Sequence, residues 1–336
     1  MSKVHGIGIL GCGDYLRWEH GNVKRSQGVQ VKALFDPVAE RAAHYAEFFG
    51  AGAEAVDSSD AIFDDDEISI VLVFTPPWVR KDLVLRAVKT GKHIITVKPL
   101  APSLAEATAM VRAVGSKVNC AVFYRRTGNA QIETLKRIFE SGEIGRLALY
   151  REDWLHHYPT WNKWATDPAK NGGPFMDAMV HNLNIARYLV GAEPKACAFF
   201  SDNHAQRLAC NDTESMKVDF EGGAAAHLFI TWAADLEIFD ATKNEREHID
   251  IWYMITDQGW YVTLDDKNVK ASREGQIKTW PLDRMHGSPY DLFVEALEAG
   301  AAQPCGLVDA WKDIAILDAT SRHKGRTVPL DLTPPV

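Results

Sequence analysis

Through the first third of the chain, short runs rich in apolar residues are separated by amphipathic stretches. Residues 4–10, 29–35, 70–74, 93–97 and 119–123 form such runs, with a shorter one at 53–56. Apolar-rich runs of this length, unbroken at Ile70–Phe74, suit strands covered on both faces, as in a parallel sheet. The stretches between them read as helices at about 15–26, 39–49, from 58–60 onward, 79–89, and one capped by Ser103. Pro37 ahead of the second helix, with Gly50 and Gly91 just past helix ends, is the punctuation helices use. Strand and helix alternating at this rhythm predict an α/β fold. Its N-terminal part is a doubly wound parallel sheet of the Rossmann type, spanning residues 1–124.

Beyond residue 125 the rhythm changes. A helix at 128–141 and Gly142-Glu143-Ile144-Gly145 are followed by strand-like runs at 147–154, 195–201, 215–220, 224–232, 248–256 and 260–264. One long helix, 174–189, interrupts them, and two more, 290–299 and 308–323, finish the chain. This predicts a C-terminal α+β domain, 125–336, built on a mostly antiparallel open sheet with helices on one face. Large aromatics at Trp252, Tyr253, Trp260 and Tyr261 are expected to face either the helices or another subunit. A broad uncovered face is therefore expected to pair the chain as a homodimer or homotetramer.

The first loop carries candidate chemistry. After the first run comes Gly11-Cys12-Gly13-Asp14-Tyr15-Leu16. Gly11 permits a tight turn, and Gly13 lacks the Cβ that would keep backbone amides from a pyrophosphate. The helix that follows points its positive end at that anion. The second run ends in Asp36, at the roughly 20-residue spacing where a dinucleotide fold places a carboxylate on the ribose. Leu16 stands where the third glycine of G-x-G-x-x-G would be.

Composition narrows the class. With 46% apolar and 24% charged residues among 336, the chain is an ordinary globular sequence long enough for two cores. A net charge of −8 opposes a nucleic-acid surface. No leader and no membrane-length apolar run is read, and five scattered cysteines without C-x-x-C fit reduced thiols in the cytoplasm. His156-His157 lacks any zinc-like spacing partner, so no metal is expected.

Asp177, His181 and Asn184 fall on one helical stripe. A carboxylate one turn from a histidine orients the ring and stabilises its charged form, suiting it to exchange a hydroxyl proton. Trp154, His156, His157, Tyr158, Trp161 and Trp164 precede this helix, and such a run either stacks on a sugar ring or packs the loop.

Taken in order, Gly11-Cys12-Gly13, Asp36-Pro37, Thr75-Pro76, Val97-Lys98-Pro99-Leu100-Ala101, Gly142-Glu143-Ile144-Gly145 and Gly172-Gly173-x-x-x-Asp177-x-x-x-His181 resemble one family. It is the Gfo/Idh/MocA (glucose–fructose oxidoreductase / inositol dehydrogenase) family. The resemblance spans nearly the whole chain and implies an NAD-dependent oxidoreductase, with NADP as the alternative coenzyme, acting on a secondary alcohol of a sugar, inositol or related compound. It implies catalytic roles for Lys98, Asp177 and His181, and coenzyme contacts from Gly11, Gly13, Asp14, Tyr15, Leu16, Asp36, Thr75, Pro76 and Lys98. Lys98, Arg126, Trp161, Trp164, His181 and Asn184 are the implied substrate contacts. Lys98 would polarise the reacting oxygen. The chain departs from the family pattern at Val97 (usually Glu), Asn184 (usually Asp), Asn171 (usually Gly), Ala165 (often Arg) and Arg80 (often His). The alternative reading is a non-catalytic coenzyme-binding sensor, which Val97 and Asn184 favour and the intact Lys98, Asp177 and His181 oppose. Within enzymes, reduction of a keto-sugar is the other direction.

Overall fold

The computed structural model describes residues 3–160, 163–236, 248–284 and 287–335. Trp161, expected to border a substrate, lies outside the described residues. The chain forms two compact units, one of residues 1–128, 285–311 and 334–336, the other of 129–284 and 312–333.

The first unit alternates as its apolar pattern requires. Strands β1 (His5–Leu10), β2 (Val29–Phe35), β3 (Glu54–Ala55), β4 (Ile68–Val73), β5 (His93–Val97) and β6 (Cys120–Phe123) are separated by five helices. These are α1 (Asp14–Arg25), α2 (Ala39–Phe49), α3 (Ser59–Asp64), α4 (Pro77–Lys89) and α5 (Leu104–Val114). All six strands are parallel, in the order β3-β2-β1-β4-β5-β6. The order reverses between β1 and β4, so the carboxyl ends of these strands flank the crevice where such sheets bind ligands. Ser103 caps α5 as expected, its hydroxyl accepting from Glu106 N at 3.3 Å. On α4 the inward positions are Pro77, Arg80, Val84 and Ala87, while Leu85 is exposed, so an arginine occupies a core-facing site.

A late segment returns to this unit, against the expected division at residue 124. Helix α8 (Pro289–Glu298) places Tyr290, Phe293 and Val294 in the core around β1 and β2. Its Asp291 completes a capping box with Ser288 and also accepts from Ser26 Oγ (2.5 Å) and from the amides of Gln27 and Gly28 (2.9 Å each). These bonds join positions more than 260 residues apart, which no local pattern announces.

The second unit contains α6 (Ala130–Ser141), β7 (Leu147–Leu155), a π-helical turn (Phe175–Met179), α7 (Val180–Val190) and β8 (Pro194–Asp202). After these come β9 (Thr213–Phe220), β10 (Ala225–Thr231), β11 (Ile249–Thr256), β12 (Tyr261–Leu264), β13 (Asn268–Arg273) and β14 (Gln276–Pro281). Helix α9 (Leu307–Ser321) begins in the first unit and ends in the second, ahead of β15 (Thr327–Pro329). The sheet has nine strands in the order β14-β13-β12-β11-β7-β10-β9-β8-β15, antiparallel except for the β7–β10 pair. β13, β14 and β15 are additions to the expected set.

Register sorts the two faces. Tyr150, Glu152, Leu228, Ile230, Met216, Val218 and Met254 are buried on the face where α7 packs on β7 and β10. On the opposite face Phe200, Ser215, Phe229, Asp153 and Ile251 form one cross-strand row, and Tyr261 and Ile277 lie on that same side. Trp252, opposite Glu152, points to the helix side, whereas Tyr253 and Tyr261 lie together on the open side with ring centroids 5.8 Å apart. Among the described residues no helix is long and apolar enough to cross a membrane.

Candidate active site

In the first unit the turn after β1 is built to approach a ligand closely. Gly11 has φ +97°, and a Cβ there would lie 2.8 Å from Phe74 O, so only glycine fits. A Cβ on Gly13 would meet nothing within 4 Å. The space in front of the first amides of α1 is therefore open, as a pyrophosphate cradle requires. Asp14 is exposed, and Tyr15 packs its ring on Phe74 with centroids 4.9 Å apart. The Leu16 side chain is fully buried in the core and offers a ligand only its backbone amide.

Asp36 is 8% exposed at the end of β2. Its Oδ2 accepts from Cys12 N and its Oδ1 from Val38 N, both at 2.8 Å, which ties the carboxylate to the glycine turn. Arg41 Nη1 lies 4.0 Å from Oδ1. Burial first, and Asp36 second, push the Cys12 thiol up to about 12, so it takes no part in proton chemistry near neutrality.

Thr75 and Pro76 lead into α4, and half-buried Lys98 follows β5. Arg126 is buried, with Nη2 donating to Asp309 Oδ2 at 2.9 Å and Nη1 to Pro304 O at 2.8 Å. Its guanidinium is thereby committed to the protein.

In the second unit the site is the start of the long helix. Gly172 and Gly173 take φ +85° and +113°. A Cβ on Gly173 would lie 3.4 Å from Cys210 Cβ and 3.5 Å from Glu214 Oε1, so the chain passes closely over β9 there. The expected single helix is two pieces: the π turn, which contains Asp177, and α7, which carries His181 and Asn184. Single π turns often mark functional positions.

Asn171, noted in the sequence only as a departure from glycine, donates from Nδ2 to Asp177 Oδ1 at 2.9 Å and is 1% exposed. It holds the carboxylate one turn before His181, and both Asp177 and His181 are half-buried. Asn184 is 1% exposed, and its Nδ2 donates to Asp313 Oδ2 at 2.7 Å, while Arg187 pairs with Asp313 Oδ1 at 2.7 Å. Asn184 and Arg187 thus share the fully buried Asp313 carboxylate.

Glu214 was not anticipated. Its Oε2 accepts from Phe175 N at 2.7 Å and its Oε1 from Ser201 Oγ at 3.0 Å, and Ser201 Oγ in turn accepts from Asn211 Nδ2 at 2.8 Å. Burial raises its pKa to about 7, only partly offset by the Phe175 amide and the Ser201 hydroxyl. The signal was present in the strand period, since Glu214, Met216, Val218 and Phe220 alternate onto one inward face.

In the preceding loop, burial lowers the pKa of His156, whose Nδ1 donates to His157 O at 2.8 Å. His157 Nε2 lies 3.3 Å from Asp235 Oδ1. Trp154 Nε1 donates to Glu152 at 3.1 Å, and Trp164 is half-buried in the loop.

Comparison with known proteins matches both units of the chain. Residues 5–124 match the oxidoreductase family with an NAD-binding Rossmann fold, and residues 132–244 match the GFO/IDH/MocA C-terminal domain. Inositol 2-dehydrogenase 2 of Saccharopolyspora erythraea is 31% identical over 352 aligned positions, covering 98% of this chain and 96% of that one. The NAD(+)-linked scyllo-inositol 2-dehydrogenase of Bacillus subtilis is 27% identical over 65% of this chain and 64% of its own. In fold, the aldose-aldose oxidoreductase of Caulobacter crescentus, solved with glycerol, superposes with a TM-score of 0.84 at 22% identity, over 98% of this chain and 100% of that one. With both units matched and a relative aligned from end to end, the chain belongs to the Gfo/Idh/MocA family of NAD(P)-dependent oxidoreductases.

Proposed function

We propose that the protein oxidises a secondary alcohol of a sugar, inositol or related polyhydroxy compound with NAD, and catalyses the reverse reduction. The observation that carries this reading is the Asn171–Asp177 bond on the π turn that leads into the helix bearing His181. It fixes a carboxylate at the spacing that supports an imidazolium. Asn171, the Gly172–Gly173 turn and Glu214 set where that helix begins. His181 takes the hydroxyl proton, Asp177 favours the charged ring, and Lys98 stabilises negative charge developing on the substrate oxygen. Bound nicotinamide accepts or donates the hydride. Gly11, Gly13 and the first amides of α1, including that of Leu16, would hold the pyrophosphate. Asp36 would accept from a ribose hydroxyl with lone pairs its two backbone bonds leave free. Arg41, 4.0 Å from that carboxylate, tempers the preference for NAD over NADP.

Trp164 completes the proposed substrate contacts, with Trp161 three residues before it in sequence, whereas Asn184, buried and bonded to Asp313, is not among them. Relatives that are inositol dehydrogenases support the substrate class and the catalytic reading over a sensor. The exposed row through Phe200 and Ile251, with Ile249, Tyr261 and Ile277, supports pairing of two copies as a homodimer or as half of a homotetramer. Five buried cysteines without a disulfide fit the reducing cytoplasm. The experiment is a panel of inositols, aldoses and anhydrosugars incubated with NAD and followed in the NADH absorbance band. Growth with at least one polyol supports the reading, and a flat response across the panel and its keto counterparts with NADH refutes it.

A further inference from the structure

Arg80 is the charged side chain the proposed chemistry leaves unused, and it is 2% exposed in the core of the first unit. Its helix offers that position to an apolar residue, since Pro77, Val84 and Ala87 share the same face. Among the described residues no carboxylate forms an ion pair with it, and burial lowers its pKa to about 9. Burying a cation without a counter-ion is costly unless its donors are otherwise satisfied.

The donors go to main-chain carbonyls. Nη1 donates to Val97 O at 2.5 Å, to Pro99 O, and more distantly to Leu100 O at 3.4 Å, while Nη2 donates to Thr75 O at 2.6 Å. Val97 and Pro99 are the residues on either side of Lys98, and Thr75 opens the turn into α4. A planar guanidinium with five donors in a fixed fork can bridge such a set in one geometry, whereas an ammonium offers three rotatable donors from a single point on a flexible stem. Two departures from the family pattern, Arg80 and Val97, are therefore one arrangement: the arginine binds the backbone of the residue whose side chain has become apolar.

We propose that Arg80 is a positioning residue for Lys98, clamping the carbonyls on both sides of it and tying them to Thr75. The role of Lys98 at the substrate oxygen rests on the reading above, but the clamp can be tested without it. The full-length protein is reductively methylated with ¹³C-formaldehyde, and the Lys98 dimethylamine signal is assigned by its loss in Lys98→Arg. In wild type we expect one narrow Lys98 signal that moves when NADH is added. In Arg80→Lys and Arg80→Met it should broaden or split, while signals of remote lysines stay unchanged. Turnover with the best polyol should fall by roughly 10²-fold, the scale of a misplaced catalytic group, with NADH affinity changed far less. Arg80→Lys should recover melting temperature relative to Arg80→Met without recovering turnover.

An unaltered Lys98 signal in folded Arg80→Lys overturns the clamp. A disturbed Lys98 signal with unchanged turnover upholds the clamp and removes Lys98 from the chemistry. If Arg80→Met does not fold, Arg80→Lys alone decides among these outcomes.

Discussion

Replacing Glu214 with glutamine tests whether a buried carboxylate, only partly offset by its hydrogen bonds, holds the start of the helix that carries His181. Glu214 is 5% exposed and its pKa rises from an ordinary 4.5 to about 7, chiefly through burial. Because the folded value lies above the unfolded one, the contribution to stability is complete below about pH 4.5 and is lost as pH rises through about 7. At 1.36 kcal/mol per pH unit the loss amounts to about 3 kcal/mol on the alkaline side. Glutamine cannot ionise, yet its carbonyl can still accept from Phe175 N and its amide can donate to Ser201 Oγ. The stability of Glu214→Gln relative to wild type should therefore improve by about 3 kcal/mol between about pH 4 and mildly alkaline pH. Urea unfolding midpoints at several pH values, with the m-value unchanged, measure this. The same variant should lose turnover at alkaline pH, where the carboxylate is the stronger acceptor for the helix amide. A stability difference that does not vary with pH would refute the reasoning, since it would mean that Glu214 ionises at an ordinary pH.

Three further outcomes are expected. Asp36→Ala should weaken NADH binding by roughly 10- to 100-fold through lost charge-assisted bonds, while NADPH loses less because Arg41 is left without its carboxylate; parallel fluorescence titrations compare them. His181→Ala should lower turnover by about 10²–10⁴-fold with NADH affinity retained, and Asp177→Asn should cost less, since asparagine still orients the ring. Ile251→Lys should reduce the mass measured by light scattering towards that of a monomer without changing the far-UV spectrum, and an unchanged mass would move the interface elsewhere.

How much of this was legible in the sequence depended on how local the cause was. The parallel sheet was legible because apolar-rich runs such as the unbroken one at Ile70–Val73 recur between amphipathic stretches and have few alternatives. β13 and β14 were not, because Lys270, Ser272 and Arg273, then Gln276 and Lys278, leave little apolar alternation in the last two strands at one side of the sheet. α8 was legible as a helix but not as part of the first unit, since Tyr290, Phe293 and Val294 would suit either core. Asp177 and His181 stood out by spacing, and Lys98 by the family motif at the end of the fifth strand. Arg80, Asn171 and Asp313 did not, because their roles lie in hydrogen bonds to distant backbone and side chains. The Leu16 position shows the converse: a missing glycine is tolerated because the side chain turns into the core and leaves the backbone amide in place.

The central claim is transfer of a hydride from a substrate carbinol carbon, and isotopic labelling tests it most directly. An inositol or aldose deuterated at the carbinol carbons is incubated with NAD, and the reduced coenzyme is analysed by mass spectrometry. The account predicts NADH carrying one deuterium per turnover, slower formation than with the protiated compound, and loss of the product in His181→Ala while NADH still binds. NADH that binds tightly while no labelled coenzyme forms from any polyol, and no keto-sugar is reduced, would contradict it.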